Sequence, residues 1–101
     1  MSKLFDHKNI DEILHSRIRL SIIAALATSD ELDFTTLVKE VNTTKGNLSV
    51  HLGKLQASKY VKIEKRFVDK KPLTTCKITK TGLNALKQYL DMVDELAKQT
   101  K

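Results

Sequence analysis

The hydrophobic pattern changes its period near residue 60, and this change restricts the fold more than any other feature of the chain. Before it, Leu48, Leu52 and Leu55 recur at the i, i+4, i+7 spacing of one helix face. From Tyr60 onwards the sequence YVKIEK alternates apolar and charged residues, as a half-buried strand does. The β-branched segment 73–79 predicts a returning strand, so a helix must lead directly into a β-hairpin.

The remainder of the chain predicts helices on both sides of this unit. Each helix is preceded by side chains that can accept hydrogen bonds from free helix amides, at Ser16, Asp33, Thr44 and either Thr79 or Thr81. We predict a short helical segment at 9–14 and helices at about 16–28, 33–41, 44–57 and 81–98. Asn42 supplies a left-handed break between the second and third helices. The hairpin tip is predicted at Asp69, Lys70, Lys71 and Pro72.

Positive charge is concentrated in the middle of the chain. Residues 45–80 hold ten basic and two acidic side chains, a net charge of +8. Residues 1–44 carry a net charge of −2, and residues 81–101 are neutral. A basic segment that coincides with the third helix and the hairpin indicates a polyanionic partner on one side of the fold. The alternative is a lysine-rich surface that serves only solubility.

Length and composition exclude several classes of protein. The 101 residues, 41% hydrophobic and 30% charged, fit a single globular domain. No run approaches the roughly 18 apolar residues of a membrane span, so no membrane partner is expected. The N-terminal sequence MSKLFDHKNIDE has no apolar signal-peptide core, and the single cysteine, Cys76, suits a reducing compartment. A cytoplasmic location is therefore expected.

Motifs for catalysis and for metal binding are missing from the sequence. There is no glycine-rich phosphate loop, no paired carboxylates in an apolar setting and no nucleophile beside a base. Cys76, His7, His15 and His51 do not share a metal-ligand spacing. The sequence therefore predicts neither an enzyme nor a cofactor or metal site.

Two short helices joined by a tight turn, followed by a hairpin, form a winged helix-turn-helix. The segments HSRIRLSIIAAL, TKGNLSVHLGKL, YVKIEK, DKKPLTT and ITKTG resemble, in this order, the small winged helix transcriptional regulators of the MarR/ArsR type. The resemblance covers about residues 10–95. It implies an α+β, mostly α fold in one domain of residues 1–101. A winged helix, made of a three-helix core and a β-hairpin wing, is expected at about 9–80, and a long C-terminal dimerisation helix at about 81–98.

The resemblance also implies a homodimer on a pseudo-palindromic duplex DNA operator, with helix 44–57 in the major groove and the wing, about 65–73, on flanking backbone or minor groove. The DNA-binding residues expected are Thr43, Thr44, Lys45, Gly46, Asn47, Ser49, Val50 and Lys54 on the helix and Arg66, Lys70 and Lys71 on the wing. Asn47 can form two hydrogen bonds to adenine, and Val50 can contact a thymine methyl. Relatives of this type often have glycine where Lys59 ends the helix, so that lysine is either left-handed and strained or the helix ends differently. Gly53, inside the helix, indicates either close packing or close approach to DNA.

The last helix carries apolar residues that step alternately by three and four, at Leu83, Leu86, Leu90, Val93 and Ala97. This stripe can pack on its own domain or pair with a second copy of the chain. We expect dimerisation, because one small domain has little surface with which to cover it. Leu4 and Phe5 are candidates to join the same interface.

Two other functions remain open at this stage. A winged helix can also serve as a protein–protein or RNA-binding module, for which Asn47, Ser49 and Val50 would matter little. The same fold can be a switch that responds to a ligand or to oxidation of Cys76, although a cysteine in the middle of a strand is usually buried and inert. The residues indicate no particular small-molecule effector.

Overall fold

The computed structural model describes residues 10–100, and the elements follow the predicted order with one addition, although residues 12–14 form a turn where a short helical segment was predicted. The helices are α1 (Arg17–Ala27), α2 (Phe34–Val41), α3 (Lys45–Ala57) and α4 (Lys80–Gln99). The strands are β1 (Leu32–Asp33), β2 (Val61–Val68) and β3 (Lys71–Ile78). The α+β, mostly helical prediction is confirmed, whereas β1 was not predicted. Leu4, Phe5 and His7 lie outside the described residues.

Each helix begins at a predicted capping residue. The side chains of Ser16, Asp33 and Thr44 accept hydrogen bonds from the third amide of α1, α2 and α3, respectively. At α4 the cap is Thr79, whose hydroxyl accepts from the amide of Gly82 at 3.0 Å. This bond decides between the two predicted caps. Such bonds satisfy helix amides that have no intrahelical partner and typically stabilise a helix by about 1 kcal/mol each.

Helices α2 and α3 end in the same way, at residues in the left-handed conformation. Asn42 has φ 56° and Lys59 has φ 64°. After α3, the amide of Tyr60 donates to the carbonyl of Leu55 and that of Lys59 to the carbonyl of Gln56, the paired bonds of a Schellman motif. The left-handed alternative for Lys59 is therefore correct. None of the chain's three glycines has a positive φ.

The three strands form one antiparallel sheet in the order β1-β3-β2. Val68 pairs with Lys71 at the end of the hairpin, so the turn consists of Asp69 and Lys70 alone, with φ values of 52° and 66°. Two successive left-handed residues make a type I′ turn, whose twist matches that of the strands. The predicted four-residue tip was therefore too wide: Lys71 and Pro72 belong to β3, and pairing extends almost to the end of the wing.

The core lies between the first three helices and one face of the sheet. Leu48, Leu52 and Leu55 are buried, as their helical spacing predicts, and they meet α1 through Ile22 and Leu26. Cys76 is also fully buried in this core. Because α3 is fixed by its leucine face, the opposite face of that helix is held outward.

Helix α4 starts against the core and then leaves it. Gly82 is buried so closely beneath the carbonyl of Tyr60 that a Cβ atom there would overlap the carbonyl oxygen. Leu86 is buried, but Leu90, Val93 and Leu96 are 51%, 42% and 37% exposed. The radius of gyration, 15.5 Å, exceeds the roughly 13 Å expected of a compact domain of this length, which indicates projecting elements. Within residues 10–100, no helix has the length and apolar character to cross a membrane.

Candidate nucleic-acid interface

The outer face of α3 is open to solvent along its whole length. The exposed residues of this face include seven that the sequence predicted, namely Thr44, Lys45, Gly46, Asn47, Ser49, Val50 and Lys54, while Thr43 is half-buried in the preceding turn. Val50 is 58% exposed, a large apolar side chain without an internal packing role. A Cβ atom at Gly46 would meet nothing within 4 Å, so the first turn of α3 presents its backbone to an approaching partner.

A cleft of about 500 Å³ separates α3 from the hairpin. One wall comes from the flank of α3 that faces the sheet (Ser49, Leu52, Gly53, Gln56), and the other from the sheet and the start of α2 (Phe34, Ile63, Lys65, Thr74). Helix and wing therefore flank one shared depression on the same side of the molecule. A Cβ atom at Gly53 would meet nothing within 4 Å, so packing inside the chain does not account for this glycine.

The wing residues predicted to contact DNA do not all lie on the cleft side. Side chains alternate between the two faces of a strand, and Ile63 and Lys65 face the cleft. Arg66 therefore lies on the opposite face, where it forms an ion pair with Glu31 at 2.8 Å. Lys70 and Lys71 are exposed at the turn. A role for Arg66 in DNA binding stays a prediction, whereas Lys65 is a cleft cation that the sequence analysis did not select.

Arg19 on α1 is a second residue that the sequence analysis missed. Its guanidinium donates through Nε to the carbonyl of Ile13 at 2.6 Å, and its Nη1 lies 3.1 Å from Nδ1 of His51 on α3. Because arginine can only donate, Nδ1 of His51 accepts and the imidazole is neutral. Burial, together with the cations Arg19 and Lys54, lowers the pKa of His51 and favours this form. Arg19 thus fixes α3 to α1 and to the turn that precedes it.

Tyr60 anchors the other end of α3. Its hydroxyl donates to Oδ2 of Asp11, and Asp11 also accepts through Oδ1 from the amide of Ile13 at 2.8 Å. Burial and the Asp11 partner raise the pKa of Tyr60 to about 12. Together with Arg19, this contact ties the segment before α1 to both the middle and the end of α3.

Metal and thiol chemistry have little support in the described part of the chain. Residues 10–100 contain no group of three or more His, Cys, Asp or Glu side chains that could hold a metal ion. Burial, followed by the nearby Asp33 and Glu31 carboxylates, raises the pKa of Cys76 to about 11, so its thiolate is disfavoured at neutral pH.

An exposed helix of a helix-turn-helix beside a paired β-hairpin defines a winged helix of the nucleic-acid-binding class. The sequence pattern of one such family, described as winged helix DNA-binding domain, matches residues 18–97. The chain belongs to this family.

Similar proteins agree with this assignment. The chain is 33% identical over 87 residues to an uncharacterised protein of Methanocaldococcus jannaschii, covering 86% of this chain and 95% of that protein. The structure matches a transcriptional regulator homologue of Pyrococcus horikoshii with a TM-score of 0.83 and 28% identity, over 88% of each chain. A MarR family regulator from Silicibacter pomeroyi shares the fold, with a TM-score of 0.67 and 21% identity over 92% of this chain and 62% of that one. The resemblance to regulators of the MarR/ArsR type is confirmed at the level of the fold.

Proposed function

We propose that the protein is a dimeric transcriptional regulator that binds a pseudo-palindromic DNA operator sequence-specifically. The observation that carries this proposal is the shared cleft: α3 and the wing flank one depression on one side of the molecule. The net charge of +8 over residues 45–80 covers both elements and matches the negative charge of a duplex.

Helix α3 has the dimensions and the surface for a major groove. Its 13 residues span about 20 Å, and the B-DNA major groove, about 12 Å wide, admits one helix. Asn47, Ser49 and Val50 are exposed on its outer face, where base edges would lie. Asn47 supplies both a donor and an acceptor for adenine, and Val50 supplies an apolar contact for a thymine methyl.

The cleft between α3 and the wing suits the sugar-phosphate strand that separates a major groove from the next minor groove. Lys65 stands on the sheet side of the cleft, and Gly53 leaves open space on the helix side at its position. A glycine inside a helix lowers helix stability by about 1 kcal/mol relative to alanine. At Gly53 the helix is therefore less stable than with alanine, but the cleft stays open. In this arrangement Lys70 and Lys71 at the turn would lie over the flanking phosphates or minor groove.

The uncovered part of α4 supports the dimer. Leu90, Val93 and Leu96 are all more than one-third exposed, on a helix that runs about 26 Å beyond Gly82 near its start. Apolar side chains in such a row are typical of an interface that a second copy covers. Two recognition helices related by a two-fold axis would then contact two half-sites about one helical turn apart.

Competition binding tests the proposal. A labelled duplex from the promoter of the protein's own gene is challenged with excess unlabelled copies of itself and with random duplex of equal length. We expect self-competition to be at least about 10³-fold more effective, the lower bound of ordinary operator specificity. Equal competition would remove the specific-regulator proposal and would leave a module for RNA, for protein or for DNA without sequence preference.

A pair of variants locates the specificity. Asn47→Ala should weaken operator binding by about 1–3 kcal/mol and relax preference at one base pair, because alanine cannot form the two hydrogen bonds to the base. Asn84→Ala makes the same chemical change at an exposed site on α4 that does not line the cleft, and serves as the control. If Asn47→Ala loses no more operator affinity than the control, or loses as much affinity for random DNA as for the operator, Asn47 does not contact a base.

A further inference from the structure

The wing carries an exposed phenylalanine that the proposed DNA contacts do not use. Phe67 is 76% exposed, the highest value among the exposed large apolar side chains of residues 10–100. Phenylalanine usually contributes a large buried apolar area to a folded protein or to an interface. The ring is therefore available for contact with a binding partner.

The strand register places Phe67 on the cleft side of the wing. Ile63, Lys65 and Phe67 alternate along β2 on one face, and the first two line the cleft. Across the hairpin, Lys65 pairs with Thr74, another cleft residue, and Phe67 pairs with Pro72. The cleft face of the wing thus ends in an apolar pair, Phe67 and Pro72, beyond its cation at Lys65.

The apolar pair stands on a rigid support. The two-residue turn makes Val68 and Lys71 the closing hydrogen-bonded pair, so Phe67 and Pro72 form the next, non-hydrogen-bonded pair, in which side chains approach most closely. Pro72 cannot donate a ladder hydrogen bond, and this site requires none. Phe67 therefore lies one residue pair before the pair that closes the turn, at the end of a hairpin whose strands are paired along their whole length.

Charge around the ring selects the kind of partner. Lys65 precedes it on the cleft face and Lys70 follows it in the exposed turn, with Asp69 as the acidic residue of the turn. A second copy of the wing would bring like charges together, and an ordinary apolar protein groove would leave these cations unpaired. Duplex DNA offers both required features, since phosphates flank the stacked bases.

We propose that Phe67 is an apolar wedge that enters the minor groove beside the major-groove contact of α3 and partly unstacks one base step, bending the duplex. This inference rests on the proposed DNA-binding function and adds to it a residue whose contact depends on how easily the DNA base steps unstack. Apolar wedges of this kind kink DNA by about 20–90°, and pyrimidine–purine steps unstack most readily. The operator is expected to have such a step under each wing.

The chain offers a matched pair of variants for the test. Phe67→Ala removes the ring, and Val68→Ala removes a neighbouring exposed apolar side chain from the opposite face of the same strand. Neither side chain is part of the buried core, so both variants should melt like the wild type. Phe67→Trp keeps an aromatic wedge and should restore function.

Three measurements are made on full-length protein with operator duplex. We expect Phe67→Ala to lose about 5- to 100-fold in affinity, the range for removal of one stacking aromatic, whereas Val68→Ala stays within about twofold of wild type. A 2-aminopurine placed at each flanking step in turn should brighten on binding of wild type and Phe67→Trp at one step per half-site, and stay dark with Phe67→Ala. End-to-end energy transfer should report a smaller bend for Phe67→Ala.

The outcomes separate this inference from the function on which it rests. Wild-type protein that fails to bind the operator specifically overturns both. Specific binding with equal losses for Phe67→Ala and Val68→Ala, or with no brightened step, overturns the wedge alone. A change of sedimentation coefficient in Phe67→Ala without DNA would instead assign the ring to self-association and would also overturn the wedge.

Discussion

Two glycines on different helices should respond in opposite directions to the same added methyl group. At Gly53, in the interior of α3, a Cβ atom would lie in open space. Alanine is favoured over glycine in a helix interior by about 0.8–1 kcal/mol, partly because it restricts the unfolded chain. Gly53→Ala should therefore stabilise the fold by about this amount and raise the melting temperature by roughly 4–8 °C, the shift that 1 kcal/mol produces in a domain of this size.

Gly82→Ala should destabilise the fold. A Cβ atom there would overlap the carbonyl oxygen of Tyr60 and would come within 3.0 Å of Cγ1 of Ile78. The same carbonyl accepts from the amide of Thr79 at 3.0 Å, so backbone on both sides must shift. Overpacking of this kind typically costs about 1–3 kcal/mol, which exceeds the gain in helix propensity and should lower the melting temperature by several degrees.

Thermal unfolding followed by circular dichroism at one protein concentration compares the three proteins, since a dimer's stability depends on concentration. Operator affinity is measured on the same three proteins. Gly53→Ala should bind DNA about fivefold or more weakly despite its greater stability, because even ~1 kcal/mol of overpacking in the filled cleft is a factor of about five. A Gly53→Ala protein that is both more stable and an equal binder would refute the assignment of the cleft to the DNA backbone. A Gly82→Ala protein as stable as wild type would refute the packing argument.

Three further perturbations test the dimer, the wing and the anchor of α3. Leu90→Glu puts a charge in the exposed apolar row of α4 and should give monomers with weakened operator binding. Gln88→Glu makes the same charge change at an exposed site and should leave the dimer intact. Sedimentation velocity measures the oligomeric state, and a Leu90→Glu protein that is still dimeric would exclude this interface. Lys70→Ala should weaken binding to every duplex about equally and flatten the slope of log affinity against log salt by about 0.9 for each phosphate that is no longer neutralised; an unchanged slope would show that Lys70 meets no phosphate. Because burial and its carboxylate partner raise the pKa of Tyr60 to about 12 from 10.0, folding favours the neutral phenol. Stability from this group should be complete below pH 10 and decline as pH rises towards about 12, and urea unfolding of Tyr60→Phe should lack that decline.

Local signals were sufficient for most of the fold. The spacing of Leu48, Leu52 and Leu55 identified the buried face of α3, because residues at i, i+4 and i+7 lie on one face of a helix. The caps at Asp33 and Thr44 could be predicted for a similar reason, since a side-chain oxygen reaches amides only two or three residues ahead. The exposure of Asn47 follows from the same periodicity, as the complement of the leucine stripe.

Features that depend on distant residues could not be predicted in this way. Strand β1 has two residues and exists because Leu32 and Asp33 meet β3, more than forty positions later, so it has no pattern of its own. The contact between Arg19 and His51 joins residues 32 positions apart. The pairing of Arg66 with Glu31 likewise depends on how the sheet folds over α2, and the exposure of Phe67 depends on where the ladder ends.

The left-handed conformations of Lys59 and Lys70 link the stability of the fold to the positive charge of the basic segment. Lys59 and Lys70 hold long cations at backbone angles where glycine would relax a strain of about 1–2 kcal/mol each. Selection for thermal tolerance alone should therefore favour glycine at both codons, since the backbone would not need to move. Each replacement removes a positive charge from the basic segment, so under the proposed function the more stable protein would release DNA at lower ionic strength. A lineage that retains lysine at both sites has favoured positive charge over thermal stability.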